Sequence, residues 1–333
     1  MSPRATHPGK VLVLHGGALG DCVLTLQLGR AMQACWDQPA VTVAARSPIA
    51  RWAARHRLIP ASRSIDELSL HTLYAAGTPA PDALVDFLLG FDRIVSFLGG
   101  PAETVSRRLT EIAGGRVVAV DPRPTPETLR NRLHITEQWA GDVSRQAEPL
   151  TMDAVQHEAR LSDAPALRAA LRSRLDATNQ PCVLCHPGAG SLEKSCPIDA
   201  LRLMLQRLRS DGWAVGWMIG PDELERFGPD FARRLREDAP VIDEESVVAA
   251  ADLAAGAETF IGNDAGMTHV AALAGVPTTA LFGPTDPNVW RPLGVHCWHE
   301  RCPAPGASFR EWANAIVAGL SSRLETGSSP SKE

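Results

Sequence analysis

Two kinds of apolar pattern alternate along this chain. Short contiguous runs, the first at residues 10–14 (KVLVL), give way to longer stretches in which apolar residues recur at steps of three and four. After the first run and the loop HGGALGD, the segment CVLTLQLGRAMQAC places Leu24, Leu28, Ala31, Met32 and Cys35 on one helical face. A strand, a glycine loop and a helix in that order open a doubly wound α/β fold. Strands follow at 41–46, weakly at 57–59, and at 65–70, 93–97 and 117–120, with helices over 48–56, 82–89 and 104–113. Pro122, Pro124 and Pro126 interrupt the pattern before a helical stretch at 129–140.

A helix over 164–175 ends in the polar cluster DATNQP, which predicts a domain boundary, and the pattern then restarts. CVLCH is a strand, HPGAG a glycine loop, and 198–210 a helix with Leu201, Leu205 and Leu208 on one face. A strand at 213–219 closes in GPDELER, a short strand lies at 241–243, and a helix spans 245–255. Residues 259–287, TFIGNDAGMTHVAALAGVPTTALFGPTDP, then read as strand, polar turn, helix, strand and second polar turn. Both turns fall at the carboxyl ends of strands, where open parallel sheets bind ligands. A last helix is expected over 309–324. The predicted organisation is two Rossmann-like domains, 1–175 and 176–325, facing across a cleft, with the last helix free to pack back on the first and a disordered tail at 326–333.

Composition narrows the functions available. A chain of 333 residues suits two domains, and a net charge of -5 excludes a general nucleic-acid binder of the basic class. The first 150 residues carry a slight excess of Lys and Arg, the remainder an excess of Asp and Glu. The first apolar run is too short for a signal peptide or a membrane span, so the expected location is the cytoplasm. Seven cysteines, an odd number, read as reduced thiols. Cys182 and Cys185 form a CxxC inside a strand-like run and read as core residues, while Cys297, His299 and Cys302 invite a metal without a second ligand pair at zinc-finger spacing.

The first glycine loop lacks the Lys-Ser/Thr ending of a P-loop and fails the dinucleotide fingerprint, because His15 stands at the first required glycine and Arg46 where the ribose-binding acid is expected. An NADP dehydrogenase that uses Arg46 stays open as an alternative. The loop also brings Asp21 to the first turn of a helix, as a cleft-facing acid or as an N-cap satisfying orphan amides.

Taken together, VLVLHGGALGDCVLTLQLGRAM, HPGAGSLEKSCPIDAL, IGPDELER and GNDAGMTHVAALAGVPTTALFGPTDPNVWRPLG resemble glycosyltransferase family 9, the ADP-heptose:lipopolysaccharide heptosyltransferases and their relatives. The resemblance implies a GT-B architecture. It further implies inverting transfer of a sugar, with heptose as the candidate by kinship, from a nucleotide diphosphate to a glycan or lipid-linked lipopolysaccharide-core acceptor, without a metal or other cofactor and without nucleic acid. Such chemistry needs a base for the acceptor hydroxyl and positive charge for the departing diphosphate. Asp21 matches the base, and Lys194 the cation that neutralises phosphate or holds the sugar. Donor binding is expected from Gly17, Gly20, Gly188, Glu223 (toward the ribose), Asp264, Ala265, Gly266, Met267, His269 and Thr285. Glu223 as a helix cap and His269 as a buried structural residue stand beside those roles.

Two positions depart from the family pattern: Ala265 replaces the threonine of the D-T-G triplet, and Cys196 stands where a tryptophan follows the lysine. No motif is matched over roughly 50–130, the region expected to hold the acceptor. Arginines between Arg46 and Arg132 suit an anionic acceptor, a peripheral contact with the inner membrane surface, or simply a solvated face. A non-catalytic GT-B-like nucleotide or glycan binder and a sugar-nucleotide epimerase of the same architecture remain as rivals.

Overall fold

A computed structural model of the chain describes residues 7–46, 48–75, 77–153, 161, 164–228 and 230–326. The chain divides into two compact units, Met1–Gln156 and His157–Glu333.

In the first unit the elements run β1 (Lys10–His15), α1 (Leu19–Cys35), β2 (Ala40–Ala45), α2 (Ile49–Arg55), β3 (Ala61–Ser64), α3 (Asp82–Leu89), β4 (Arg93–Ser96), α4 (Thr104–Ala113), β5 (Val117–Ala119), α5 (Pro126–Asn131) and α6 (Ile135–Gln146). The strands form a parallel five-stranded sheet in the order β3-β2-β1-β4-β5. Leu12, Leu14 and Ile94 from the sheet pack with Leu84, Leu88 and Leu109 from α3 and α4. Two expected elements shift. Residues 57–59 form a turn with β3 after them, and 65–73 form short 3-10 turns rather than a strand. The single helix expected over 129–140 is two helices, broken where Arg132 takes the left-handed conformation (φ 53°).

The second unit runs α7 (Ala164–Arg174), β6 (Cys182–His186), α8 (Ile198–Ser210), β7 (Ala214–Ile219), α9 (Pro221–Phe227), α10 (Asp230–Arg236), β8 (Val241–Asp243), α11 (Val247–Ala255), β9 (Thr259–Asn263), α12 (Gly266–Leu273), β10 (Thr278–Phe282), α13 (Pro287–Trp290), β11 (Cys297–Arg301) and α14 (Phe309–Thr326). Its six strands are parallel in the order β11-β10-β9-β6-β7-β8. Every residue of β6, β9 and β10 is buried, as central strands of a parallel sheet require. Cys182 and Cys185 are core residues of β6, as their setting predicts.

One organisational expectation changes. Helix α7, expected to end the first domain, packs on α11 of the second unit, and its Arg168 and Arg172 both reach Glu258 at 3.0 and 3.1 Å. The last helix packs Ala313, Ile316, Val317 and Leu320 against α8 of its own unit. The Cys297 segment, read only for its possible metal ligands, is edge strand β11. Residues 327–333, most of the expected tail, lie outside the described residues.

Candidate active site

In the second sheet the chain winds outward from β6 to β7 and β8 on one side, and from β9 to β10 and β11 on the other. β6 and β9 are therefore the neighbours at which the winding reverses, and the crevice beyond their carboxyl ends is where such sheets bind ligands. The loops that gather there follow β6, β9 and β10.

Asn263, the last residue of β9, joins two stretches of chain. Its side chain is fully buried, its Nδ2 donates to the Pro187 carbonyl at 2.7 Å, and its Oδ1 accepts from the Cys196 amide at 3.0 Å. Both ends of the 187–196 loop are thus fixed to β9. Gly283 provides a second close approach: a Cβ there would lie 3.0 Å from the Glu193 carbonyl oxygen and 3.4 Å from the Lys194 Cα. A side chain there would force the two loops apart by a few tenths of an ångström.

The result is a small polar cluster. Thr285 Oγ1 donates to Asp264 Oδ2 at 2.7 Å, and Lys194 Nζ stands 3.5 Å from the same oxygen. A charge-assisted N–H···O bond is normally about 2.7–2.9 Å, so the ammonium is held near Asp264 without being tightly engaged by it. The Lys194 side chain keeps 37% of its exposure, whereas that of Asp264 keeps 9%. Arg301, at the end of β11, donates from Nη1 to the carbonyls of Gly283 and Thr285 at 2.7 and 2.8 Å, and so holds the loop that carries Thr285.

Beside this cluster α12 begins. Ala265 is its N-cap, in extended backbone, and has no side-chain oxygen to accept from the first turn. The amides of Gly266 and Met267 lead the helix, where no intrahelical acceptor exists and the dipole favours an anion. His269 lies in the next turn, buried, with no partner for Nδ1 among the described residues. Burial lowers its pKa to about 4 against the opposing pull of the Asp264 charge, so His269 is neutral near pH 7 and offers shape and hydrogen bonding but no charge.

Glu223 and Gly188 are brought together differently from expectation. Glu223 is buried, and its Oε2 accepts from the Gly220 amide at 2.8 Å, which caps α9. Its Oε1 lies 3.7 Å from His186 Nε2, whose ring also bonds through Nδ1 to the Met218 carbonyl at 2.9 Å. A Cβ on Gly188 would fall 2.0 Å from Glu223 Oε1, so Gly188 serves to admit the carboxylate. The helix-cap reading of Glu223 is realised in the geometry.

In the first unit Asp21 occupies the third position of α1, and Ala18 rather than Asp21 is the N-cap. Gly20 is the second helical residue. Gly17 has a steric reason to be glycine, since a Cβ would meet His15 Cε1 at 2.4 Å and Asp21 Oδ2 at 2.9 Å. Among the described residues no cluster of three or more His, Cys, Asp or Glu is arranged to hold a metal, Cys297, His299 and Cys302 included. Sequence reasoning missed Asn263, Gly283 and Arg301. Asn263 and Gly283 stand inside quoted motifs at strand ends, which is a usable signal, whereas Arg301 depended on seeing β11.

The description "Glycosyltransferase family 9 (heptosyltransferase)" matches residues 130–304. Lipopolysaccharide heptosyltransferase 1 of Pseudomonas aeruginosa is 37% identical over 109 residues, which cover 32% of this chain and 30% of that protein. Lipopolysaccharide heptosyltransferase 3 of Escherichia coli is 28% identical over 149 residues, covering 43% of this chain and 44% of that protein. The matched part thus spans less than half of either relative's length. Escherichia coli ADP-heptose LPS heptosyltransferase II superposes with a TM-score of 0.66 at 18% identity, over 96% of this chain and 99% of that one. That likeness, with two parallel α/β units, makes the fold GT-B. With a family match over more than half its residues, this chain belongs to glycosyltransferase family 9.

Proposed function

We propose that this protein is an inverting glycosyltransferase that moves a heptose-type sugar from an ADP-linked donor to a lipopolysaccharide-core acceptor. The observation that carries the donor half is the loosely held Lys194 ammonium beside Asp264 and Thr285, next to the open start of α12 at the switch point of the second sheet. A diphosphate there would meet a cation and unpaired amides together, the combination that stabilises a departing phosphate. The Asp264 carboxylate, already accepting from Thr285, suits a sugar hydroxyl better than a phosphate oxygen.

In this reading Asp21 takes the proton from the acceptor hydroxyl as its oxygen attacks the anomeric carbon, and the C–O bond to the diphosphate breaks as Lys194 and the α12 amides receive the charge. Glu223 supports the floor of the nucleotide site from beneath Gly188 instead of meeting the ribose. Metal independence belongs to the proposal, and full turnover in EDTA is its check. The acceptor is read as anionic and membrane-borne: Leu129 and Leu133 are 52% and 40% exposed and sit among Arg130 and Arg132. That mixture suits peripheral contact with an anionic bilayer from the cytoplasmic side. Among the described residues no helix is long and apolar enough to cross a membrane.

The test is ADP release from ADP-heptose in the presence and absence of a heptose-deficient lipopolysaccharide core. Release that depends on acceptor supports transfer, and the absence of any release would leave a binding protein. Asp21→Asn should lower turnover by about 10²–10⁴-fold, the range for a lost general base, with donor affinity intact. Unchanged turnover would remove Asp21 from the mechanism.

A further inference from the structure

His15 ends β1, immediately before the 16–18 loop that leads into α1 and Asp21. Its ring is 2% exposed and packs against Phe97 and Trp139, with ring centroids 5.3 and 6.2 Å away. Nδ1 accepts from the Gly17 amide at 2.9 Å. Accepting at Nδ1 requires the proton of the neutral ring to sit on Nε2, yet Nε2 is buried and has no partner among the described residues. An orphaned buried donor is costly, so the ring is kept in a position that serves one nitrogen at the expense of the other.

That position fixes Gly17 from three sides. Its N–H goes to His15, its carbonyl accepts from Cys22 Sγ at 3.6 Å, and its Cα lies so close to the His15 ring and to Asp21 Oδ2 that a Cβ would contact them at 2.4 and 2.9 Å. The Asp21 carboxylate therefore rests against a backbone segment whose place is set by the imidazole. Burial holds the His15 pKa at about 4, so near neutral pH the ring is neutral and places no positive charge beside the carboxylate.

The geometry points to His15 as a positioning residue for the transfer reaction: through Gly17 it sets where the Asp21 carboxylate stands, without touching substrate. This rests on Asp21 being the general base. An error of about 1 Å in placing such a group costs on the order of 10²-fold in rate, so the effect is measurable.

The experiment compares His15→Asn, whose side-chain oxygen can occupy the Nδ1 position, with His15→Gln, whose polar atoms lie one bond further out and cannot. Both are assayed for ADP release from ADP-heptose with the heptose-deficient core, alongside Asp21→Asn and with thermal midpoints of all variants. The expected result is a kcat within about threefold of wild type for His15→Asn and more than about tenfold lower for His15→Gln, at matched midpoints and unchanged donor KM, the signature of a group acting only in the transition state. Equal kcat in the two variants, or a loss in His15→Gln that appears in donor KM, overturns the proposal while Asp21 keeps its role. Wild-type turnover in Asp21→Asn instead overturns the base assignment and this inference with it. Should His15→Gln not fold, Gly17→Ala is the second variant. It displaces the same contact from the other side, and wild-type kcat there would also refute the mechanism.

Discussion

Replacing Asn263 by alanine should damage stability and, on the proposed reading, donor binding together, because one buried side chain holds both ends of the 187–196 loop. The substitution orphans the Pro187 carbonyl and the Cys196 amide, both in buried residues, whose bonds to Asn263 are 2.7 and 3.0 Å. Each orphaned group costs about 1–3 kcal/mol, giving roughly 2–6 kcal/mol for the pair, with some offset if the loop opens to water. In a unit of this size each kcal/mol lowers the thermal midpoint by roughly 2–4 °C, so a fall of about 4–24 °C is expected. The perturbation reaches function because Lys194 lies two residues before Cys196, and Gly188 directly follows Pro187. Urea unfolding followed by circular dichroism gives the stability loss, and calorimetry with ADP-heptose gives the affinity. A stability loss below about 1 kcal/mol would mean that neither orphaned group is sequestered from water, and the account of the loop would fail. A full stability loss with unchanged donor affinity would sever the loop from the donor site instead. Asn263→Asp sharpens the test: it keeps an acceptor for Cys196 but sets a carboxylate oxygen against the Pro187 carbonyl, and it should be at least as destabilising as alanine.

Gly188→Ala places a Cβ against the Glu223 carboxylate, which must then give up its bond to the Gly220 amide; a loss of about 1–3 kcal/mol is expected, shrinking in a Glu223→Ala background, and a denaturation double-mutant cycle reads the coupling. Ala265→Thr supplies the missing acceptor at the N-cap of α12 and should raise stability by about 0.5–2 kcal/mol in thermal unfolding, with no gain if the position cannot accommodate the cap. The pH dependence has a defined sign: His15 and His269 both have folded pKa values of about 4 against an ordinary 6.5, so the folded state binds fewer protons, and stability present above pH 6.5 is lost as pH falls toward 4. At one pH unit per 1.36 kcal/mol this amounts to roughly 2 kcal/mol per histidine by about pH 5, and stability that stayed flat from about pH 7 to 5 would contradict the burial of both rings.

Much of this was legible from the chain alone, for identifiable reasons. Contiguous apolar runs are what buried parallel strands demand, so β1, β6, β9 and β10 were readable, and the turns after them had to carry whatever chemistry the sheet supports. Less legible was anything set by a contact distant in sequence. Helix α7 looks like the end of the first domain until Glu258, far along the chain, is seen to meet Arg168 and Arg172. β11 contains charged residues at its exposed end and escapes a hydrophobicity pattern, and Arg301 escaped with it. Arg132 breaks a helix through a backbone conformation for which arginine has no special preference.

The glycines show most clearly how a motif can be recognised while the packing behind it stays invisible in the sequence. Gly17, Gly188 and Gly283 each belong to loops expected to approach a ligand, and backbone approach to phosphate is the customary reason for glycine there. The distances add a cause inside the protein at each: His15 and Asp21 crowd a side chain at Gly17, Glu223 does so at Gly188, and the 193–194 backbone leaves only a tight space at Gly283. These glycines let parts of the protein approach one another, while Lys194 keeps 37% of its side-chain exposure and the amides of Gly266 and Met267 begin α12 without an intrahelical acceptor. Ala265 fits the same logic. A threonine there could cap α12 and occupy one of its leading amides, whereas alanine leaves the helix start uncapped by its own side chain, so on the proposed reading a diphosphate donor should stabilise this unit more in the wild type than in Ala265→Thr.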